Sequence, residues 1–269
     1  MKWLFRLIFA ALVLVALATP WLKPATSVDE AVSGRPLLPT IPHVDEKTEV
    51  PDFTQFNDVT EKKIAFFEFL LPTVRAENVR IDYQRQRIQW LDSQWQLGTT
   101  LSADDKRWLR QIARNYEVDF DLDPDSDMFV LLERRVDQVP ESLVLIQAAN
   151  ESGWGTSRFA LEGLNFFGQW CYRKGCGLVP LSRDDDGRHE VARFDSVNAS
   201  VRSYMRNINT HPAYLDLRLI RQKLRQQGED ISAIKLTEGL HRYSERGAEY
   251  IDELNAMIRV NRPLIQQIN

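Results

Sequence analysis

The sequence predicts a mainly α-helical protein with a small β-hairpin lobe. Apolar residues recur at helical spacing from Thr60 onward and through most of the second half of the chain. Prolines and glycines stand where these periodic stretches stop. Between Gly175 and Phe194 the pattern changes to short extended runs, and the Asp186-Gly187 step between them is a hairpin signal.

Residues 1–22 form the first element, an export segment. Lys2 and Arg6 precede an apolar run from Leu7 to Ala18, and Ala16-Leu17-Ala18 has the small-x-small form of a signal peptidase site. The run approaches the roughly 20 apolar residues that cross a bilayer. A cleaved signal peptide and an uncleaved anchor through residues 3–22 therefore both stay open.

Two further regions precede the second half. Residues 23–58 combine several prolines with polar residues and few aliphatic ones, which predicts an extended, mobile linker. Residues 59–124 form a helical accessory region, in which Ser102 and Asp105 make a capping box for a helix through about Tyr116. These helices either form a small bundle or pack against the second half of the chain.

Residues 125–269 read as helices interrupted by the β-like insertion. Pro140 opens a helix that the glycines at 153 and 155 stop. Another helix ends at His211-Pro212, and Tyr250 lies near the start of the last clear one. We expect this range to be the catalytic domain.

The net charge and the two cysteines indicate which kinds of partner and site this protein is expected to have. A net charge of -4 and a pI near 5.7 argue against a nucleic-acid-binding protein. Cys171 and Cys176 enclose a short loop, which favours a disulfide in an exported protein, with free thiols as the alternative. A zinc site would need two more ligands, and no histidine lies within ten residues.

Glu151 is the residue best placed for acid chemistry. It ends an apolar helix, where burial would raise its pKa and favour the protonated form that a general acid requires. Gly153 and Gly155 would let a substrate approach the backbone, and Trp154 offers a flat face to a sugar ring. From the residues alone, an exposed glutamate at a helix end is the competing interpretation.

The surrounding motif resembles a known family. It resembles the family 73 glycoside hydrolases, bacterial N-acetylglucosaminidases with a lysozyme-like fold, and more closely the Bax-type proteins of that group. The resemblance covers roughly residues 55–269. The segments that carry it are Gln147-Ala-Ala-Asn-Glu151-Ser-Gly-Trp-Gly155, Asn165-Phe-Phe-Gly168, Trp170-Cys-Tyr-Arg-Lys-Gly-Cys-Gly-Leu-Val-Pro180 and Lys62-Lys-Ile-Ala-Phe-Phe-Glu-Phe-Leu-Leu-Pro72.

The resemblance implies roles for several residues. Glu151 matches the general acid of the family, and Asn165 and Phe167 match a motif that we place at the rim and floor of the groove, although packing explains Phe167 equally well. Tyr243-Ser-Glu-Arg-Gly-Ala-Glu-Tyr250 resembles, with one inserted residue, the Tyr-Ala-Thr-Asp-x-x-Tyr motif of the family, in which a tyrosine hydroxyl orients the substrate. Tyr243 is the stronger candidate, since Tyr250 also fits the apolar face of the last helix.

The second catalytic group is less well defined. In the family it lies on the β-lobe, which here carries Asp184, Asp185, Asp186 and Glu190. Glu190 ranks first because it follows the turn on a strand, and Asp185 ranks next. Alternatively, the acetamide group of the substrate acts as the internal nucleophile.

These observations predict an exported peptidoglycan hydrolase. It would cleave β-1,4 bonds next to N-acetylglucosamine in glycan strands, without a metal or an organic cofactor, either soluble in the periplasm or anchored to the inner membrane. Lytic transglycosylation is the enzymatic alternative, and a non-catalytic glycan-binding module is the alternative from another class. Residues 59–124 would on one hypothesis cover the groove as an inhibitory segment.

Overall fold

The computed structural model describes residues 36–119, 124–180 and 189–268. Residues 38–269 group into one compact unit. The predicted export segment, Asp185 and the predicted turn at Asp186-Gly187 lie outside the described residues. No helix within the described ranges is long and apolar enough to cross a membrane.

The fold is mainly helical, as the sequence predicts, with one three-stranded sheet in the described part of the chain. The first helices are α1 (Val59–Gln96), α2 (Ala103–Asn115), α3 (Ser126–Arg135), α4 (Glu141–Ser152) and α5 (Arg158–Gly163). The strands follow as β1 (Trp170–Cys171), β2 (Gly177–Leu178) and β3 (Glu190–Ala192). The last helices are α6 (Val197–Thr210), α7 (Leu215–Gln226), α8 (Ala233–Thr237) and α9 (Ala248–Gln267).

Helix α1 is the longest element and packs against the rest of the unit. Its first turn is capped by Asp58, whose side chain accepts from the backbone N–H groups of Thr60 and Glu61. Its buried face contacts α3, α4, α6 and α9. Residues 59–124 are expected from the sequence either to form a separate small bundle or to pack against the second half of the chain. Helix α1 packs against helices of the second half.

Helix α4 is buried nearly all round and carries Glu151 near its end. Every residue from Leu143 to Ala149 is buried between α1, α8 and α9. Pro140 caps the start, and Gly153 ends the helix in the left-handed conformation, with φ +58°. Both helix boundaries confirm the sequence prediction.

The small lobe is an antiparallel sheet in the order β1-β3-β2. Trp170 pairs with Val191 across β1 and β3, and Leu178 pairs with the same residue across β2 and β3. The predicted β-lobe is therefore present. The close β2–β3 pairing is the arrangement expected of two strands joined by a hairpin.

The prediction of a mobile linker over residues 23–58 is wrong for its C-terminal part. Lys47 accepts a hydrogen bond from the N–H of Val197 through its carbonyl, and its own N–H donates to the Asn198 side chain. Phe53 is 1% exposed. The segment is ordered because the first N–H groups of α6 lack partners within their helix, and the segment supplies one.

Candidate active site

Glu151 lies near the C-terminal end of α4 and is only partly exposed. Burial raises the pKa of its carboxyl above the usual range, and the nearby Glu253 acts in the same direction. Hydrogen bonds from the side chains of Tyr250 and Asn150 favour the carboxylate and oppose the shift. The net rise favours the protonated form that a general acid needs.

A chain of three hydrogen bonds sets the direction of the Tyr250 hydroxyl. The Tyr204 hydroxyl donates to Oε1 of Gln147, and Nε2 of Gln147 donates to the Tyr250 oxygen at 3.0 Å. The Tyr250 hydroxyl then donates to Oε1 of Glu151 at 2.9 Å. Gln147 is fully buried, and both the oxygen and the nitrogen of its amide are hydrogen-bonded. Each hydrogen bond of the chain therefore donates in the direction of Glu151.

Two further tyrosines, Tyr243 and Tyr214, form an aromatic wall beside this chain. Tyr243 stacks on Tyr250 with ring centroids 5.4 Å apart, and Tyr214 packs against Tyr243 at 5.8 Å. The Tyr243 hydroxyl lies 3.4 Å from the Phe167 carbonyl, to which it donates. Burial raises the pKa of Tyr243 well above its usual range, as it does for Tyr250. Both rings therefore stay neutral donors.

The structure gives Tyr250, the lower-ranked of the two predicted tyrosines, the direct contact with Glu151. Tyr243 reaches the site through its stacking on Tyr250. The sequence favoured Tyr243 because Tyr250 fits the buried face of α9. Tyr250 does lie on the buried face of α9, but a buried tyrosine also directs its hydroxyl to a hydrogen-bond partner, which here is Glu151.

Three successive residues after Ser152 are left-handed, and they form the turn that follows Glu151. Their φ angles are +58° at Gly153, +60° at Trp154 and +78° at Gly155. Ser152 holds the turn, because its hydroxyl donates to the Ala148 carbonyl and accepts from the N–H of Gly155. The glycines are thus required by the backbone path of the turn.

Gly155 adjoins Phe53, so its expected role in admitting the substrate is replaced by a packing role. A Cβ on Gly155 would lie 2.6 Å from the Phe53 ring. Trp154 packs edge-on against Phe66 and Phe67, and Lys63 stands 5.2 Å from its ring centroid. These contacts hold Trp154 against α1 while the side chain stays partly exposed, and its role in binding a sugar stays a prediction.

Asn165 and Phe167 are buried and hold the backbone between α5 and β1. The Asn165 amide donates to the carbonyls of Gln169 and Ala192, and its oxygen accepts from the N–H groups of Phe167 and Gln169. Asn165 is 1% exposed and all these bonds are to the backbone, so the structure shows a structural role, and its role in substrate binding stays a prediction. The Phe167 ring stacks on Tyr204 with centroids 4.0 Å apart, and so packs against the hydrogen-bond chain that leads to Glu151.

Gly168 follows Phe167 and adjoins the second oxygen of Glu151. It has a φ of +62°, and a Cβ placed on it would lie 4.0 Å from Oε2 of Glu151. The two oxygens therefore have different surroundings: Oε1 faces the Tyr250 hydroxyl and Oε2 faces the backbone of Gly168.

The structure places Glu190 in the β-lobe with its carboxylate directed at the disulfide loop. Its two oxygens accept from the N–H of Gly175 at 3.0 Å and the N–H of Gly177 at 2.8 Å. Glu190 is 6% exposed. These contacts describe a carboxylate that shapes the loop, which does not favour the role of base; Asp185 lies outside the described residues.

Cys171 and Cys176 form the predicted disulfide, which closes this loop. The two sulfurs and a carboxylate oxygen of Glu190 lie within 4.8 Å of one another. A metal would need thiolate ligands, and the bonded sulfurs offer none. The cluster is therefore a cross-linked loop.

Sequence reasoning did not single out Gln147, Tyr204 or Phe53. Each has an ordinary pattern: Gln147 and Tyr204 sit on apolar helix faces, and Phe53 lies in the segment assigned to the linker. The signal for Gln147 was a polar residue inside the run Leu143–Ala149, which burial would leave in need of partners.

Taken together, a carboxyl whose pKa is raised near the end of a buried helix, a tyrosine hydroxyl bonded to that carboxyl and a small sheet in a mainly helical fold are typical of a glycosidase of lysozyme-like architecture.

The comparisons identify the family. Residues 127–262 match the model of the glucosaminidase family, described as mannosyl-glycoprotein endo-beta-N-acetylglucosaminidase. The chain is also 34% identical to Protein bax of Escherichia coli (strain K12) over 221 residues, which cover 82% of this chain and 77% of that relative. No solved structure matches the chain significantly. The chain belongs to the glucosaminidase family and is, at that level, a glycoside hydrolase.

Proposed function

We propose that this protein hydrolyses β-1,4 glycosidic bonds next to N-acetylglucosamine in peptidoglycan strands, with Glu151 as the general acid. The observation that carries the proposal is the environment of Glu151, whose burial raises the pKa while Tyr250 fixes one of its oxygens. A general acid must hold a proton at the working pH and release it to the leaving oxygen.

In this mechanism the two oxygens of Glu151 have separate tasks. Oε1 accepts from the Tyr250 hydroxyl, so the proton for transfer is carried by Oε2, on the side of Gly168. Oε2 protonates the glycosidic oxygen as the bond to the sugar breaks. The neutral hydroxyl of Tyr250 then stabilises the carboxylate that remains.

Two routes remain for the attack on the sugar. Either a β-lobe carboxylate activates water, or the acetamide oxygen of the substrate attacks its own ring carbon. Because both oxygens of Glu190 accept backbone hydrogen bonds, Asp185 and the acetamide route take precedence over Glu190 in this proposal. The same observation favours lytic transglycosylation as the second candidate function, because that reaction needs only Glu151 as acid and then base.

Digestion of purified peptidoglycan tests the proposal. The protein and its Glu151→Gln variant are incubated with sacculi, and the released muropeptides are analysed by mass spectrometry. Reducing N-acetylglucosamine ends that are absent with the variant support hydrolysis. Anhydro-muramic ends support the transglycosylase, and no product from the unmutated protein argues for a non-catalytic glycan-binding module.

We further propose that residues 1–22 export the protein to the periplasm, where its substrate lies, as a soluble or an anchored form. The Cys171–Cys176 disulfide supports this, since such bonds persist in oxidising compartments. Cell fractionation with and without residues 1–22 tests it. Retention of the intact chain in the cytoplasm would contradict export, and release by detergent alone would favour the anchored form.

A further inference from the structure

Trp170 is a large aromatic side chain that the β-lobe leaves open to solvent. It is 58% exposed, although the His189 ring stacks on it with centroids 4.3 Å apart and an interplanar angle of 17°. Exposed aromatic surface costs free energy in water, and patches of it mark binding sites. Tyr172, two residues later, is 74% exposed. The lobe therefore leaves a large part of this aromatic surface in contact with solvent.

The segment that displays these rings is held firmly. Trp170 pairs with Val191 in the sheet, and the next residue, Cys171, is cross-linked to Cys176. Glu190 fixes the far side of the loop through the N–H groups of Gly175 and Gly177. A platform built on fixed elements binds with little loss of conformational entropy.

The backbone that carries Trp170 starts beside the candidate acid. Gly168 adjoins Oε2 of Glu151, and Trp170 follows two residues later. Two residues of extended chain span at most about 7 Å. The backbone of Trp170 is thus near enough to Glu151 for one glycan strand to reach both residues.

We propose that Trp170, supported by His189, is a binding platform for a sugar ring of the glycan strand on the β-lobe side of Glu151. The proposal rests on the proposed function of Glu151. A pyranose ring offers an apolar face of C–H groups that packs on an indole, with hydroxyls at its edge, so it suits a flat aromatic surface in contact with water. Arg173 and Lys174 are exposed on the same loop and complement the carboxylates of a peptidoglycan strand.

Binding of soluble N-acetylglucosamine oligomers to the full-length protein tests the platform. Calorimetric titrations compare Glu151→Gln, which binds without turnover, with the double variant Glu151→Gln/Trp170→Ala. We expect affinity to fall about tenfold, equivalent to about 1.4 kcal/mol. In the active protein Trp170→Ala should lower kcat/KM mainly through KM, while Trp170→Phe should keep most of the affinity.

Two controls separate the platform from general damage. Val260→Ala removes a comparably exposed apolar side chain from α9 and should leave binding unchanged. If Trp170→Ala does not fold, His189→Ala decides the question, because it removes the support of the indole and should weaken binding by a smaller factor.

The outcomes distinguish this inference from the proposed function. The platform is overturned if Glu151→Gln and Glu151→Gln/Trp170→Ala bind the oligomers with equal affinity, or if Glu151→Gln does not bind them at all. This holds even if the unmutated protein cleaves sacculi. Binding that depends on Trp170 upholds the platform as a glycan site even if no cleavage occurs, and then only the catalytic proposal fails.

Discussion

Replacing Tyr250 with phenylalanine should move the pH dependence of cleavage toward higher pH. The hydroxyl donates to Oε1 of Glu151 at 2.9 Å and stabilises its ionised form. A hydrogen bond to a charged group contributes about 1.5–3 kcal/mol. Because the Asn150 side chain also bonds to Glu151 and remains in the variant, we take the lower value. At 1.36 kcal/mol per unit, the pKa of Glu151 should rise by about one unit.

The assay is the pH profile of kcat/KM on solubilised glycan strands, which reports the groups of the free enzyme. The general acid works in its protonated form, so activity falls as pH rises through the pKa of Glu151. Tyr250→Phe should shift this alkaline limb upward by about one unit. Tyr243→Phe is the matched control, because its hydroxyl bonds to the Phe167 carbonyl. An alkaline limb that stays in place in Tyr250→Phe, or moves equally in both variants, would refute the role given to Tyr250.

Three further predictions concern stability. Phe53→Ala should destabilise the protein by about 3–5 kcal/mol, because removal of a fully buried ring leaves a cavity. Gly155→Ala should lower the free energy of unfolding less in the Phe53→Ala background than alone, because the added Cβ then no longer meets the Phe53 ring, and a double-mutant cycle in urea would show this. Glu151→Gln should raise the melting temperature at neutral pH but not at acid pH. Folding raises the pKa of the Glu151 carboxyl, so the stability that its protonated form contributes is lost as pH rises through the folded pKa. Equal melting temperatures of the two proteins at neutral pH would contradict the claim that burial raises this pKa. Reducing the Cys171–Cys176 bond should lower the free energy of unfolding by about 2 kcal/mol for so short a loop, measured by urea titration with and without dithiothreitol; no change would show that the loop adds nothing to stability.

Local rules were enough to predict much of the fold. The helix start at Ser102, the start of α4 after Pro140 and its end at Gly153 all follow from backbone hydrogen bonding within a few residues. The β-lobe and the disulfide follow from a short loop between extended runs. Such features depend on neighbours in the chain, which the sequence displays directly.

The features that the sequence did not predict depend on contacts between distant residues. Phe53 packs on Gly155, and Tyr250 reaches Glu151 across 99 positions. The segment around Lys47 looked like a linker because its partners lie on α6. A pattern of apolar and polar residues does not encode such pairings. The packing of Phe53 on the turn after Glu151 and the hydrogen-bond chain through Gln147 therefore appear only in the folded protein.

The packing of α1 also bears on the hypothesis that residues 59–124 inhibit the enzyme. Phe66 and Phe67 hold Trp154, which belongs to the turn after Glu151. We therefore expect removal of residues 59–124 to abolish folding and activity together, as circular dichroism and sacculus digestion would show. A truncated protein that is folded and more active would restore the inhibitory hypothesis.

The central claim, that Glu151 supplies a proton to the leaving group, is tested most directly by changing the leaving group. The unmutated protein and Glu151→Gln are compared on N-acetylglucosamine oligomers that end either in a further sugar or in dinitrophenolate, which departs without protonation. The account predicts that Glu151→Gln loses about 10²–10⁴-fold on the sugar leaving group and far less on dinitrophenolate. Equal losses on both substrates would contradict the claim.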